Sequence, residues 1–311
     1  MRRNIIGFAI GMVLLAAAAW VALTHEAALS DACRQAVQAP LWLVALALGL
    51  PALNWVLTSL VFLVLNGRYA RVPPGEMHAL IGAAWLLNYL PMRPGMFGRI
   101  AWHRTYHGIT VTQSAKVIGW SMLASALAFG ALLAPALIYA QSHRVDIAIG
   151  TAVMIALIAA GGIVASGRTG DTLTRRLWFA SLLRYADALI WAARYAAIFA
   201  LVGRPIGPAE AVALAIVSQA ATIIPISGNG LGVREWAVGA LAAVLPSESL
   251  GGRGIDGAAV GVAADLVHRG LEVLSALVVA PICMIGLERI RRRRKADFAR
   301  TEAQNPSVAY E

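Results

Sequence analysis

The sequence predicts an all-α polytopic membrane protein with about six transmembrane helices and two re-entrant half-helix hairpins in an inverted repeat. Three observations lead to this fold class. First, 59% of the 311 residues are hydrophobic and only 14% are charged, whereas about 25% of the residues in a soluble domain are charged. Second, apolar residues occur in long runs. Third, two shorter apolar segments are broken by Pro and Gly.

Six apolar runs are long enough to cross a bilayer as helices. A helix rises about 1.5 Å per residue, so roughly 20 residues cross a hydrocarbon core of about 30 Å. The runs are residues 5–23, 41–65, 117–140, 147–165, 185–202 and 258–285. The first run follows two arginines, as in a secretory signal. It is longer than the apolar region of such a signal, so an uncleaved first span is expected.

Two further apolar segments, residues 77–102 and 209–245, are interrupted before they can cross. The interrupting residues are Pro91, Arg93, Pro94, Gly95 and Gly98 in the first segment, and Pro225, Gly228, Gly230 and Gly232 in the second. Half-length helices separated by Pro and Gly are typical of re-entrant hairpins, which enter the membrane and return to the same side.

Basic residues predict which side of the membrane each connection occupies, since Lys and Arg are retained in the cytoplasm. Arg2 and Arg3 place the N-terminus inside, and the basic cluster at 289–295 places the C-terminus inside. The basic connection 167–184 is also expected inside. The connections expected outside are 24–40, 141–146 and 246–257. The first hairpin then enters from the cytoplasm, and the second from the opposite face.

The net charge of +10 has the same topological explanation, so membrane lipids rather than nucleic acid are the expected partners. The basic cluster also suits anionic lipid head groups. The predicted organisation is one membrane domain, residues 1–290, and a basic, disordered cytoplasmic tail, residues 291–311. The predicted location is the bacterial inner membrane, with both termini in the cytoplasm.

The two broken segments share a pattern. LNYLPMRPGMFGRIAW (87–102) and TIIPISGNGLGVREW (222–236) each run from apolar residues through Pro and a Gly-rich turn to Arg and then Trp. Paired, Gly/Pro-interrupted segments at corresponding places in two halves of a chain indicate the binding site of a transporter.

These two motifs resemble those of the flippase-like family, also known as the lysylphosphatidylglycerol-synthase transmembrane region, over roughly residues 5–290. Its members show a PGGLGVRE-like motif, matched here by Pro225 and Gly230-Leu231-Gly232-Val233-Arg234-Glu235. Here Ser227-Gly228-Asn229 replaces the usual Pro-Gly-Gly run. The first motif is looser, because the acidic residue that often follows its glycine is missing.

The resemblance implies translocation of a phospholipid or an isoprenoid-linked lipid between leaflets. In larger relatives a soluble aminoacyl-transferase domain follows the membrane part. No counterpart follows residue 290 here, so lipid-lysine synthesis is not expected. Relatives also occur beside hopanoid-synthesis genes, which leaves an accessory role in lipid biosynthesis, beside other proteins of such a pathway, as an alternative.

Charged residues inside the apolar segments are the candidate substrate-binding residues, since each costs at least about 2.5 kcal/mol at mid-membrane without a partner. Arginine is expected to donate to phosphate oxygens, from Arg99, Arg194, Arg234 and Arg269. Acidic residues are expected to hold these arginines when the site is empty: Glu235, Asp265 and Glu272. Glycine lets the backbone approach a phosphate closely, at Gly95, Gly230 and Gly232.

Helical spacing predicts how these side chains meet. Asp265 and Arg269, like His268 and Glu272, are four residues apart and can pair on one helix. Four polar or aromatic residues fall on one face of the fifth span: Arg184, Asp187, Trp191 and Arg194. The alternative is that these charges pair only with one another and fix helix packing.

Two other functions remain open from the sequence. An intramembrane enzyme acting on lipid head groups could use Asp265, His268 and Glu272 as acid and base. A scaffold for a biosynthetic complex would need no binding site. No P-loop, HExxH or GxSxG motif occurs, and neither a cofactor nor a metal is predicted. His103 and His107 are expected to anchor the chain at the membrane interface rather than bind a metal.

Overall fold

The computed structural model describes residues 9, 12–18, 20, 26–90, 93–170, 172–223, 228–245 and 254–304, and every regular element within these ranges is helical. The helices with defined bounds are α1 (Glu26–Gln38), α2 (Leu41–Asn66), α3 (Pro74–Leu87), α4 (Pro94–His107), α5 (Val111–Ser142), α6 (Val145–Arg168), α7 (Thr172–Leu201), α8 (Pro208–Ile223), α9 (Val233–Val244) and α10 (Ile255–Gln304). A 3₁₀ turn, Gly228–Gly230, lies between α8 and α9.

Four helices in the described ranges are long and apolar enough to cross a membrane: Leu41–Asn66, Val111–Ser142, Val145–Arg168 and Ile255–Asp297. They contain four of the six predicted spans. Only 6% of the most apolar window of α6 is buried inside the protein. A helix this apolar needs a lipid solvent, because water would surround most of its surface otherwise. The chain is therefore a helical, multi-pass membrane protein.

Two predicted spans are not among these four. Most of the first span, residues 5–23, lies outside the described residues, although 12–18 are helical. The fifth, 185–202, falls within α7 except for Val202, and the 30 residues of α7 are long enough to cross. Its mean hydropathy is lowered by charged residues such as Asp187 and Arg194, both of which are buried in the protein.

Two segments expected as connections are largely helical. Residues 26–38, within the predicted loop 24–40, form α1, and α7 begins at Thr172, inside the predicted connection 167–184. The sequence of α1 contains neither Gly nor Pro, so nothing in its composition opposes a helix. In α7, Leu177 and Leu183 pack against the core. Basic residues indicate the side of the membrane and carry no information against helical structure.

The helix α7 lies at the centre of the bundle and packs against α2, α5, α6 and α8. The helix α10 packs against α3 and α9. Small residues bring α9 and α10 close together: a Cβ on Gly261 would lie 2.6 Å from the Cβ of Ala242 and 3.1 Å from the Cα of Gly239. Close approach through small residues is how membrane helices associate, and here it places the polar side chains of α9 and α10 opposite one another.

Both predicted interruptions separate two short helices that pack against each other. In the first, α4 begins after Arg93, whose φ of 48° is left-handed. A side chain at Gly95 would collide with the backbone of Ala84 in α3. In the second, Asn229 (φ 48°) and Gly230 (φ 69°) reverse the chain. Pro91, Pro225 and Ser227 lie outside the described residues.

The last helix continues beyond the membrane domain and is fixed to the first pair of short helices. Residues 291–304, expected to be disordered, continue α10, and residues 305–311 lie outside the described part of the chain. Arg294 Nη2 donates to Glu76 Oε2 at 2.7 Å. The other oxygen of the buried Glu76 accepts from Trp102 Nε1 at 2.5 Å and is bonded to His107 Nε2 at 2.7 Å. Glu76 therefore joins α3, α4 and α10.

Candidate functional site

The second pair of short helices, α8 and α9, places Arg234 in a network of buried charges. Arg234 is 0% exposed. Its Nε donates to Asp265 Oδ2 and its Nη1 to Glu272 Oε2, each at 2.9 Å. Both acceptors stand on α10, seven residues apart and hence on one helical face. One guanidinium thus bonds two carboxylates across the α9–α10 contact, which stabilises all three charges in a low-dielectric interior.

Arg194 of α7 extends the same network. Its Nε donates to His268 Nε2 at 3.0 Å, and its Nη2 lies 3.2 Å from Glu272 Oε2. Its guanidinium also stacks on the Trp191 ring, 3.8 Å from the centroid. Because His268 Nε2 accepts this N–H, that nitrogen carries no proton. The neighbouring Tyr195 donates its hydroxyl to Asp265 Oδ1 at 2.8 Å.

A further ion pair joins Arg269 of α10 to Glu235 of α9. Arg269 Nη1 also lies 3.4 Å from the carbonyl oxygen of Asn229, in the 3₁₀ turn between α8 and α9. The predicted pairs within α10 are therefore not the ones formed. Asp265 bonds Arg234 instead of Arg269, and Glu272 bonds Arg234 and Arg194 instead of His268.

A cavity of about 320 Å³ lies beside this network, between α2, α3, α4 and α7. Its wall combines apolar and aromatic side chains, among them Trp55, Phe62, Trp85 and Trp191, with about as many polar and charged ones. The four residues predicted on one face of the fifth span all line it: Arg184, Asp187, Trp191 and Arg194. Glu272 closes the side towards the network. The volume is at the small end of the range for ligand pockets, about 300–1,000 Å³.

The wall formed by α7 carries a complete ion pair. Arg184 Nη1 donates to Asp187 Oδ2 at 2.9 Å, and Asn54 Nδ2 of α2 donates to Asp187 Oδ1 at 2.7 Å. Arg184 also donates to Thr58 Oγ1 at 3.1 Å and to Ser121 Oγ at 2.8 Å. Both oxygens of Asp187 and much of Arg184 are thereby occupied, so this pair contributes little net charge to the cavity.

The first pair of short helices brings Arg93 and Arg99 to the cavity. The Arg99 guanidinium lies over the Phe62 ring, 3.7 Å from its centroid. Arg93 Nη2 donates to the carbonyl oxygen of Thr222, near the end of α8, at 2.8 Å. No carboxylate among the described residues lies within ion-pair distance of either guanidinium. Both side chains are only partly buried.

The charges on the described residues around the cavity do not cancel. Among those residues the guanidinium groups number six: Arg93, Arg99, Arg184, Arg194, Arg234 and Arg269. The carboxylates that pair with them number four: Asp187, Glu235, Asp265 and Glu272. The two surplus cations are Arg93 and Arg99. An uncompensated charge inside a membrane protein is costly and indicates a functional site, so the chemistry offered here is recognition of an anion.

The predicted site residues fall into two groups. Arg99, Arg194 and Glu272 line the cavity. Four others belong to the network and are not part of the cavity wall: Arg234, Glu235, Asp265 and Arg269. Of the predicted glycines, Gly95 permits the contact between α3 and α4, while Gly230 and Gly232 have positive φ at the second break.

Sequence reasoning named Arg93 only as an interruption and did not consider Asn54, although both line the cavity. An asparagine inside an apolar run was the available signal for Asn54. No group of three or more His, Cys, Asp or Glu side chains suited to a metal ion occurs in the described ranges. His107 is bonded to Glu76.

Comparison of the chain with known protein families, with curated proteins and with solved structures found no match. The family resemblance therefore rests on the two motifs alone, and the functional argument rests on the geometry of the cavity.

Proposed function

We propose that this chain is a lipid translocase of the bacterial inner membrane, which moves a phospholipid or an isoprenoid-linked lipid between leaflets. The observation that carries the proposal is the cavity with its two surplus guanidinium groups, Arg93 and Arg99, in a chain that is otherwise membrane-spanning and apolar. An anionic lipid head group supplies the missing negative charge, and its acyl chains remain in the apolar phase that already surrounds the helices.

The proposal includes a membrane arrangement. The chain crosses six times, with α7 and the N-terminal segment as the two spans beyond the four most apolar ones. The pairs α3–α4 and α8–α9 are re-entrant hairpins that enter from opposite faces, as in an inverted repeat, and both termini are cytoplasmic. The hydrogen bond from Arg93 to the carbonyl oxygen of Thr222 supports this arrangement, because it joins the two breaks at one depth.

The physical role of the cavity follows from the cost of moving a charge through hydrocarbon. Arg99 has no acceptor for its N–H groups among the described residues other than the Phe62 π face. A phosphate that reaches the cavity exchanges its water for these forked donors. The paired wall of Arg184 and Asp187 provides polar surface for the rest of the head group. The network behind it holds the helices in place while the head group passes.

Lipid scrambling in reconstituted vesicles tests the proposal. Vesicles with and without the purified protein receive head-group-labelled phosphatidylglycerol or phosphatidylethanolamine, and a quencher added outside reports the label that reaches the outer leaflet. We expect the wild type to move label faster than protein-free vesicles, and Arg99→Ala to reduce the added rate by about tenfold or more, as loss of one charge-assisted contact of 1.5–3 kcal/mol implies.

Arg104→Ala is the matched control, because it removes the same charge from α4, the helix that carries Arg99, at an exposed position that does not line the cavity. Its rate should equal that of the wild type. If no lipid moves under any ion or pH gradient, the translocase proposal fails, and the scaffold and enzyme hypotheses come first. The enzyme hypothesis needs a lipid to reach Asp265 and His268, both of which are buried behind the cavity wall.

A further inference from the structure

The charge balance of the cavity specifies the charge of its ligand. Among the described residues, every buried carboxylate of the region pairs with at least one guanidinium, and the two cations that remain, Arg93 and Arg99, both line the same cavity. A phosphodiester head group, which carries one negative charge, neutralises only one of them. A zwitterionic head group carries no net charge and therefore leaves the net charge of the two arginines unchanged. A phosphate monoester carries about two negative charges near neutral pH and matches both.

The remaining wall offers little to an ammonium group. Both oxygens of Asp187 already accept hydrogen bonds, from Asn54 and Arg184. Glu272 already pairs with Arg194 and Arg234. Of the aromatic faces, which can bind cations, Phe62 and Trp191 each lie under an arginine. An ethanolamine or choline head group therefore finds no free carboxylate among the described residues of the cavity wall.

The size of the cavity supports the same conclusion. A volume of about 320 Å³ matches a small head group, since ligand pockets for larger molecules extend to about 1,000 Å³.

We propose that the cavity selects lipids that end in a phosphate monoester over phosphodiester and zwitterionic lipids, with Arg93 and Arg99 as the residues that determine this specificity. The inference rests on the proposed function, because it names the substrate class of the same site. The shared chemistry is a dianionic phosphate, which a lipid or free inorganic phosphate can present.

Calorimetric titration of the full-length protein in detergent tests the selectivity. The probes are dioctanoyl phosphatidate, dioctanoyl phosphatidylglycerol, dioctanoyl phosphatidylethanolamine and inorganic phosphate. At pH 8 we expect phosphatidate to bind at least about tenfold more tightly than either other lipid, since either other lipid leaves at least one arginine of the cavity without a counter-charge. At pH 5 the phosphatidate affinity should fall by up to about tenfold, because the second phosphate proton dissociates near pH 6, while the phosphatidylglycerol affinity stays constant.

Substitutions of the two cavity arginines test whether they cause the preference for phosphatidate. Arg93→Gln and Arg99→Gln should each bring the phosphatidate affinity close to that of phosphatidylglycerol, whereas Arg104→Gln, at an exposed position of α4 away from the cavity wall, should keep the wild-type ratio. Equal affinities for the three lipids, or a preference that survives both cavity variants, would overturn the inference. Inorganic phosphate that binds as tightly as phosphatidate would show that the site takes free phosphate and not a lipid.

The binding and scrambling measurements together distinguish failure of the phosphate-monoester preference from failure of the proposed function. Lipid scrambling without head-group discrimination contradicts the inference and leaves the translocase proposal standing. Selective binding of phosphatidate without scrambling under any gradient contradicts the translocase proposal and leaves the specificity of the cavity standing.

Discussion

The two helix breaks contain the same residue types in the same order, and their arginines have opposite environments. Arg234, at the second break, is fully buried and bonded to Asp265 and Glu272. Arg99, at the first, is half-buried, lies over an aromatic ring and has no carboxylate partner among the described residues. A shared motif therefore gives a shared backbone break, while the partner helix decides whether the arginine is structural or available to a ligand.

The partner helices explain the difference. The second break lies against α10, which presents three acidic or histidine side chains to it at Asp265, His268 and Glu272. At the first break, Arg99 lies over Phe62 of α2, a helix without an acidic residue, and the one acidic residue of α3, Glu76, is already bonded to Trp102, His107 and Arg294. The two breaks, which are alike in sequence, therefore differ in the number of carboxylates available beside them. The cavity lies at the break that has no available carboxylate.

The largest effect is expected from removing a carboxylate at the second break. Asp265→Ala leaves the Arg234 guanidinium with a buried, unbonded Nε and removes the acceptor of Tyr195. We expect the free energy of unfolding to fall by about 3–5 kcal/mol, measured as the unfolding midpoint of the purified protein in detergent. Asp146→Ala is the matched control, because Asp146 pairs with Arg144 at an exposed site and its loss should leave the unfolding midpoint close to that of the wild type.

A smaller loss is expected where the first pair of short helices is fixed to the last helix. Glu76→Gln replaces a buried carboxylate that receives three hydrogen bonds with an amide whose NH₂ group faces Arg294. The expected loss is about 1.5–3 kcal/mol, the contribution of a hydrogen bond to a charged group. Faster proteolysis of the C-terminal segment of α10 would report its release. Unchanged stability and unchanged proteolysis would show that Glu76 does not hold this helix.

Substitution of two glycines in α4 by alanine should change the stability of the protein in opposite directions. A Cβ at Gly95 collides with the Ala84 backbone, so Gly95→Ala should cost about 1–3 kcal/mol. At Gly98 nothing lies within 4 Å of the new Cβ, so Gly98→Ala should stabilise the helix by up to about 1 kcal/mol. Thermal unfolding of the two variants side by side measures this difference. Equal effects would contradict the close contact between α3 and α4.

Hydropathy was sufficient to predict the class of the protein and the spans that became α2, α5, α6 and α10. The Gly and Pro pattern also located both breaks. The start of α7 could not be predicted in this way, because Arg175 and Arg176 were interpreted as a loop while Leu177 and Leu183 pack into the core. Charge density alone does not distinguish a basic loop from a basic helical turn.

The ion pairs were harder to predict than the residues that form them. Spacing along α10 favoured Asp265 with Arg269, yet both pair across to α9. That choice depends on the close packing of Gly239 against Gly261, which a single sequence does not reveal. Arg93 was overlooked as a cavity residue for a similar reason, since its role depends on α4 folding back against α3.

The most direct test of the difference between the two breaks is a side-by-side comparison of Arg99→Gln and Arg234→Gln, both of equal charge change and similar size. Unfolding midpoints are measured first without lipid, and lipid movement in vesicles is then measured for each variant that folds. We expect the free energy of unfolding of Arg99→Gln to lie within about 0.5 kcal/mol of the wild-type value, as for substitutions away from buried ion pairs. The same variant should lose lipid movement. For Arg234→Gln we expect the free energy of unfolding to fall by about 3–5 kcal/mol. Equal destabilisation of the two variants, or wild-type lipid movement by Arg99→Gln, would contradict the account.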